Sequence, residues 1–318
     1  MSYTGPEFES PQPRRPRRGP LTVALAALVP GALLGWVAYE ALGDGGSDGE
    51  VRTAAATSVP SASRTASSRP PAASRGDDGK VSGSPSAPAD GSGGLRGKVV
   101  VIDPGHNPGN FRHTAEINRQ VDIGTNSKEC DTTGTSTNDG YTEARFSLDL
   151  AHRLRELLER EGVTVRLTHD GDTPPWGPCV DERARIGNAA HADAAISLHA
   201  DGSAEGDRGF HVILPGSVHA GAADTRPIVG PSHELGTRVA GDYLRETGEP
   251  PANYIGGGTG LVTRTDLGGL NLSTVPKVFI ECGNMRDSKD AALLTSGTWR
   301  QRAAQGISEG IVSFLRDS

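Results

Sequence analysis

Aromatic residues are scarce in this chain, only 4% of its 318 residues, and nowhere do they alternate with arginines. An excess of positive charge is also missing: 32 Lys and Arg face 39 Asp and Glu, for a net charge of −7. Without a basic stripe or a zinc finger, nucleic acid is excluded as the expected partner. The Gly- and Pro-rich stretch 248–260 lacks the lysine and Ser or Thr of a phosphate loop, so nucleotide binding carries little weight. No internal repeat is evident. Outside one apolar block, the first hundred residues show almost no apolar periodicity. About 220 residues remain to build a core, enough for one α/β domain.

That block divides the N-terminal part of the chain. Residues 1–20 form a polar, proline-rich tail with Arg14, Arg15, Arg17 and Arg18 near its end. The segment 21–42 opens with the uncharged run Leu21 to Tyr39. As a helix this run would cover roughly 28 Å, close to the hydrocarbon thickness of a bilayer. Pro30 would kink such a helix without forbidding it. Arginines before the run and Asp44, Asp48 and Glu50 after it predict a cytosolic N-terminus. The expectation is a single-pass anchor in the cell membrane, with the remainder outside. A cleaved signal peptide and a secreted product form the alternative, although signal peptides usually carry a shorter apolar region, about 7–15 residues. Residues 43–95 are mostly Ser, Ala, Gly and Pro, which cannot bury enough apolar surface to offset chain entropy. They read as a disordered tether with a mean span of roughly 40 Å.

The globular part, 96–318, repeats one device three times. The β-branched run Val99-Val100-Val101-Ile102 stops at Asp103-Pro104-Gly105 and delivers His106. Ala194 to Leu198 ends on His199, and Lys277 to Ile280 ends on Glu281. Short apolar runs bounded by turn residues read as buried strands. In an open α/β sheet the ligand crevice lies beyond the carboxyl ends of such strands. Further strands are predicted at 163–168, 209–214 and 261–264, making six, with helices over 143–161, 181–191, 232–246 and 298–315. The segment 107–141, rich in Thr, Asn, Gly and Asp, reads as one long loop.

The helix that opens at Glu143 places this carboxylate one heptad before Leu150, so on its buried face. His106, Glu143 and His199 are therefore predicted to converge. Two imidazoles and one carboxylate, with a position left for water, are the ligand set of a hydrolytic zinc site. Glu281, beside Phe279 and Ile280, is costly to bury unless paired or useful. It is a candidate general base; the plainer readings are a fourth metal ligand or an ion-pair partner of Arg264 or Arg286. Asp103 either holds the His106 imidazole from behind in its ligating tautomer or is simply the turn residue. The remaining histidines, 113, 152, 169, 191, 211, 219 and 233, are expected mostly at the surface. Loop acids Glu116, Glu129 and Asp131 could reach toward the metal, though solvated loop charges are the commoner outcome. Of three cysteines, Cys130 and Cys179 lie in loops where a disulfide would pin the long loop, and Cys282 reads as a small buried hydrophobe. A thiol nucleophile at Cys282 is the sharper alternative, but no histidine adjoins it in sequence.

Val101-Ile-Asp-Pro-Gly-His106, Glu143-Ala-Arg-Phe-Ser-Leu-Asp-Leu-Ala151, Ile196-Ser-Leu-His-Ala-Asp201 and Val278-Phe-Ile-Glu-Cys-Gly-Asn284 together resemble the zinc-dependent N-acetylmuramoyl-L-alanine amidases, the amidase 3 family. The resemblance runs from about Lys98 to Leu315 with the motifs in order. Gly177 to Arg183, Asp266 to Leu272 and the long loop with Cys130 look like the actinobacterial, mycobacterial-type members. It implies a mixed, mostly parallel sheet flanked by helices and one zinc ion held by His106, Glu143 and His199, with Glu281 as the catalytic glutamate. The implied substrate is peptidoglycan, cut at the amide joining the lactyl group of N-acetylmuramic acid to L-alanine. Asp201 stands where such proteins commonly have Asn. Arg264 and Asn271 are candidate substrate contacts. Two other readings remain open on the residues alone: a zinc peptidase or carboxypeptidase of cell-wall peptides, and a non-catalytic peptidoglycan-binding or activator protein.

Overall fold

The computed structural model describes residues 94–171 and 173–318; the expected basic tail, membrane span and all but the last two residues of the tether lie outside them, and Leu95, expected in the tether, is buried in the core. No helix among the described residues is long and apolar enough to cross a membrane. In chain order the elements are β1 (Val99–Pro104), α1 (Thr114–Ile117), β2 (Gln120–Asp122), β3 (Ser127–Glu129), α2 (Glu143–Arg160), β4 (Thr164–Leu167), α3 (Val180–Ala189), β5 (Ala194–Asp201), β6 (His211–Pro215), β7 (His219–Ala220), β8 (Ala223–Asp224), α4 (Val229–Thr247), β9 (Leu261–Arg264), α5 (Gly268–Asn271), β10 (Lys277–Asn284), α6 (Ser288–Leu294) and α7 (Gly297–Asp317).

Six strands form the main sheet in the order β4-β1-β5-β10-β6-β9. Pairing is parallel except between β10 and β6, so the sheet is mixed and mostly parallel, as expected. One face carries the large core. Val100, Ile102, Ile196, Leu198, Val278 and Ile280 pack there against Leu150 and Leu154 of α2, Leu235 and Val239 of α4, and Ile307 and Ile311 of α7. A smaller cluster, Val101, Ala192, Ala195 and Val275, lies apart from it. Strand alternation does the sorting: on β10, Val278, Ile280 and Cys282 enter the large core, while Phe279 and Glu281 line a cleft. Helices α4 and α7 approach closely at Gly310, where a Cβ would stand 2.6 Å from the Val239 Cα.

The six predicted strands and four predicted helices are all present, their ends shifted by a few residues. The long loop differs from expectation. It holds the short helix α1 and the hairpin β2–β3, pieces of three or four residues, too short to leave a periodic signature. Cys130 and Cys179 form the expected disulfide across 49 residues, and Cys282 is a buried free thiol. Two histidines expected at the surface, His169 and His211, are each 3% exposed.

Candidate active site

Two strand ends and a helix start meet at one rim of the sheet. After β1 the chain turns at His106, whose φ of +59° is uncommon for a residue with a Cβ. In the parallel register of β5 and β10, His199 stands opposite Glu281. Glu143, at the first turn of α2, is 4% exposed.

Its carboxylate lies between the two imidazoles. Oε1 is 2.9 Å from His199 Nδ1, and Oε2 is 3.2 Å from His106 Nε2. The backbone N–H groups of Ala200 and Thr135 donate to the same two oxygens at 3.3 and 2.9 Å. One ligand atom from each of His106, Glu143 and His199 falls within 4.8 Å of the others, the one such group among the described residues. Two ligand atoms of a tetrahedral zinc stand about 3.4 Å apart, from bonds of about 2.1 Å. The spacing and the donor set fit that ion.

The far sides of both rings settle which nitrogen is free. His106 Nδ1 faces Thr132 O at 3.1 Å and Asp131 Oδ1 at 3.3 Å. Both accept, so in the neutral ring this nitrogen carries the proton and Nε2 is the one left for a metal. His199 Nε2 lies 3.1 Å from Ser197 Oγ, and that hydroxyl donates to Asp103 Oδ2 at 2.9 Å. With the hydroxyl proton committed, Nε2–H can donate to Oγ, and in that tautomer Nδ1 is the nitrogen left for a metal. Burial works against charge on His106, but Glu143 and Asp131 outweigh it and push its pKa up to about 10. Burial would also raise Glu143, yet the imidazoles hold it well below the carboxylate range. A cation must therefore displace a proton to enter.

Asp103 was a candidate to hold His106, but it touches neither imidazole. It accepts instead from Thr168 Oγ1 at 2.7 Å, Arg183 Nη1 at 2.7 Å and Lys277 Nζ at 3.2 Å, and reaches His199 only through Ser197. The reason is charge: Arg183 and Lys277 are both buried and need a counterion there. Asp131 takes the role at His106, its other oxygen accepting from Arg183 Nη2 at 2.8 Å. Of the remaining loop acids, Glu116 lies 3.4 Å from His113, and Glu129 is exposed.

Glu281 lines a cleft of about 360 Å³ together with all three metal-competent residues. Burial, Glu143 and Asp201 raise its pKa well above that of an ordinary carboxyl. The expected ion pairs are absent: Arg264 joins Asp266 at 2.7 Å, and Arg286 Nη1 donates to Ser136 O at 3.4 Å. Arg264 does line the cleft. Asn271 does not serve as a substrate contact, being fully buried. Its Nδ2 donates to Ile123 O, Thr125 Oγ1 and Thr265 O, bracing the hairpin against the turn before α5. Cys282, with its thiol pushed up by burial, faces the core and cannot act as nucleophile.

Comparison with known proteins agrees with this geometry. The family model described as N-acetylmuramoyl-L-alanine amidase matches residues 100–313. The N-acetylmuramoyl-L-alanine amidase Rv3717 of Mycobacterium tuberculosis is 43% identical over 223 residues, covering 70% of this chain and 88% of that protein. AmiA of Escherichia coli is 27% identical over 252 residues, 70% of this chain and 78% of that one. Among solved structures, the N-acetylmuramyl-L-alanine amidase Ami1 of Mycobacterium smegmatis superposes with a TM-score of 0.64 at 39% identity, covering 70% of this chain and 99% of that one.

Proposed function

The chain belongs to the N-acetylmuramoyl-L-alanine amidase family, and from that premise we propose that it uses one zinc ion, held by His106, Glu143 and His199, to cleave peptidoglycan with Glu281 as proton carrier. The observation that carries the reading is a buried carboxylate set between two imidazoles whose far nitrogens are held from behind, beside a glutamate with no hydrogen-bond partner among the described residues. When bound, the ion supplies Lewis acidity: it polarises the scissile carbonyl and lowers the pKa of water.

The protein's own residues do the rest. Asp131 and Thr132 hold His106, and Ser197 holds His199, so that both lone pairs point at one place. Glu281 takes the proton of the attacking water as its oxygen bonds to the lactyl carbonyl carbon. It then gives that proton to the alanine nitrogen as the C–N bond breaks, so the amine leaves neutral. Glu143 and Asp201, which disfavour charge on Glu281, favour its holding that proton between the two steps. Arg264 at the cleft offers a cation to a stem carboxylate, its charge partly spent on Asp266. The apolar segment 21–42, if it anchors the chain, would confine this activity to the outer face of the membrane.

A digest of purified peptidoglycan with and without a chelator tests the reading. The expected products are intact glycan chains and stems with a new amino group on L-alanine, lost when metal is removed. Trimming of stems from the carboxyl end would instead mark a carboxypeptidase, and no release at all a binding protein. Glu281→Gln should keep its zinc and lose turnover by about 10²-fold or more; full activity in that variant removes Glu281 from the mechanism.

A further inference from the structure

Burying a polar atom without a partner costs free energy, and such atoms in a folded protein call for a reason. Two of them belong to residues paired across the sheet: Glu281 Oε2 and His211 Nδ1, neither with a hydrogen-bond partner among the described residues. In the antiparallel register of β10 and β6, Glu281 pairs with His211 and Phe279 with Ile213. Facing residues of such a pair share one side of the sheet, with Cβ atoms about 4.5–5.5 Å apart. Phe279, Ile213 and Glu281 line the cleft, so His211 stands in the same row at its back.

The surroundings of His211 suit a fixed neutral ring. It is 3% exposed, and the Tyr254 ring stands edge-on to it at 6.1 Å, with the Tyr254 hydroxyl donating to Asp201 at 2.8 Å. Burial lowers its pKa more than Asp201 raises it. A neutral imidazole retains one N–H to give.

We propose that His211 is a positioning residue for Glu281: its Nδ1–H donates to Oε2, fixing the carboxylate so that the other oxygen meets the water and the alanine nitrogen. This rests on the reading of Glu281 as proton carrier. It also explains why a buried histidine opens a strand that continues as Val212, Ile213 and Leu214. Nothing in the metal ligand set depends on this contact, so its loss should be felt in turnover and not in zinc affinity.

Two variants of the full chain, His211→Leu and His211→Asn, test it. The apolar replacement removes the donor. The amide places an N–H near the position of Nδ1. Expected for His211→Leu is a kcat lower by about 10- to 100-fold, the effect of one hydrogen bond to a charged group, with KM and zinc affinity within twofold of wild type. His211→Asn should recover most of that loss. A leucine variant with wild-type kcat, or an asparagine variant as impaired as leucine, overturns the proposal. Should leucine prevent folding, ring ¹⁵N NMR of the zinc-free wild type and Glu281→Gln decides: the His211 nitrogen shifts must differ, and identical shifts refute the contact. This second measurement needs no turnover, so it separates failure of the hydrogen bond from failure of the amidase reading.

Discussion

Asp131 Oδ1 stands 3.3 Å from His106 Nδ1, and the other oxygen of the same carboxylate accepts from Arg183 Nη2 at 2.8 Å. A surface loop thereby supplies the group that orients a predicted ligand, and a buried arginine holds that group in place. Carboxylates behind ligating histidines commonly contribute 10–100-fold, roughly, to metal affinity. Asp131→Asn is expected to weaken zinc binding by about that factor while the apo protein still folds, since Arg183 retains Asp103. Competition against a chromogenic chelator measures it; an affinity within twofold of wild type would show that Thr132 O alone suffices.

The same cluster sets a pH dependence. In the metal-free protein the His106 pKa lies at about 10, above the ordinary 6.5. A raised histidine pKa stabilises the folded apo protein fully below pH 6.5, and that contribution is lost as pH rises through 10. Zinc must displace this proton, so its affinity should rise about tenfold per pH unit from 7 to 9. Calorimetry in buffers of different ionisation enthalpy counts the protons released. Release of none at pH 7 would mean that His106 is already neutral.

The disulfide reaches the site through sequence adjacency. Cys130 precedes Asp131, Cys179 precedes Val180, and the Val180 N–H donates to Cys130 O at 2.8 Å. Closing a loop of 49 residues stabilises by roughly 4 kcal/mol in the chain-entropy model. The double change Cys130→Ser, Cys179→Ser should therefore lower Tm by about 10 °C and also weaken zinc, because Asp131 loses its anchor. A fall in Tm with unchanged zinc affinity would confine the bridge to a purely global role.

Which parts of this arrangement were legible beforehand follows from how each residue is held. His106, His199 and Glu281 each close an apolar run, and Glu143 keeps phase with Leu150, so local pattern exposes all four. Asp131 and Arg183 act through partners 25 to 80 positions away, and no local pattern records such a pairing; Ser197 lies only two residues from His199, but its bond to Asp103 spans 94. Arg183 did leave a trace: it precedes Ala184 and lies four residues before Gly187, on the buried face of α3. Lys277 left another, a charge directly before the apolar run Val278 to Ile280. Asn271, a candidate contact through the resemblance alone, is instead buried: its Nδ2 partners lie far off in sequence or in the preceding turn, which no local pattern shows. His211 escaped because a histidine within an apolar run has no turn beside it to mark it.

Gly134 offers a last, steric test of the loop's part in the site. Its φ is +72°, and a Cβ there would lie 2.6 Å from His106 Cδ2 and 2.8 Å from Glu143 Oε2. Both neighbours are held by other bonds, so neither can move aside cheaply. The left-handed backbone adds about 1–2 kcal/mol against any L side chain. Gly134→Ala should thus push the 132–135 segment off the ligands, removing the Thr135 N–H from Glu143 and Thr132 O from His106. The expected outcome is weaker zinc binding together with a Tm loss of only a few degrees. Gly140→Ala is the control: it has a similar φ of +84° but open space around the new Cβ, so it pays the backbone strain alone. If both variants bind zinc as the wild type does, the loop merely passes over the metal-competent residues without shaping them.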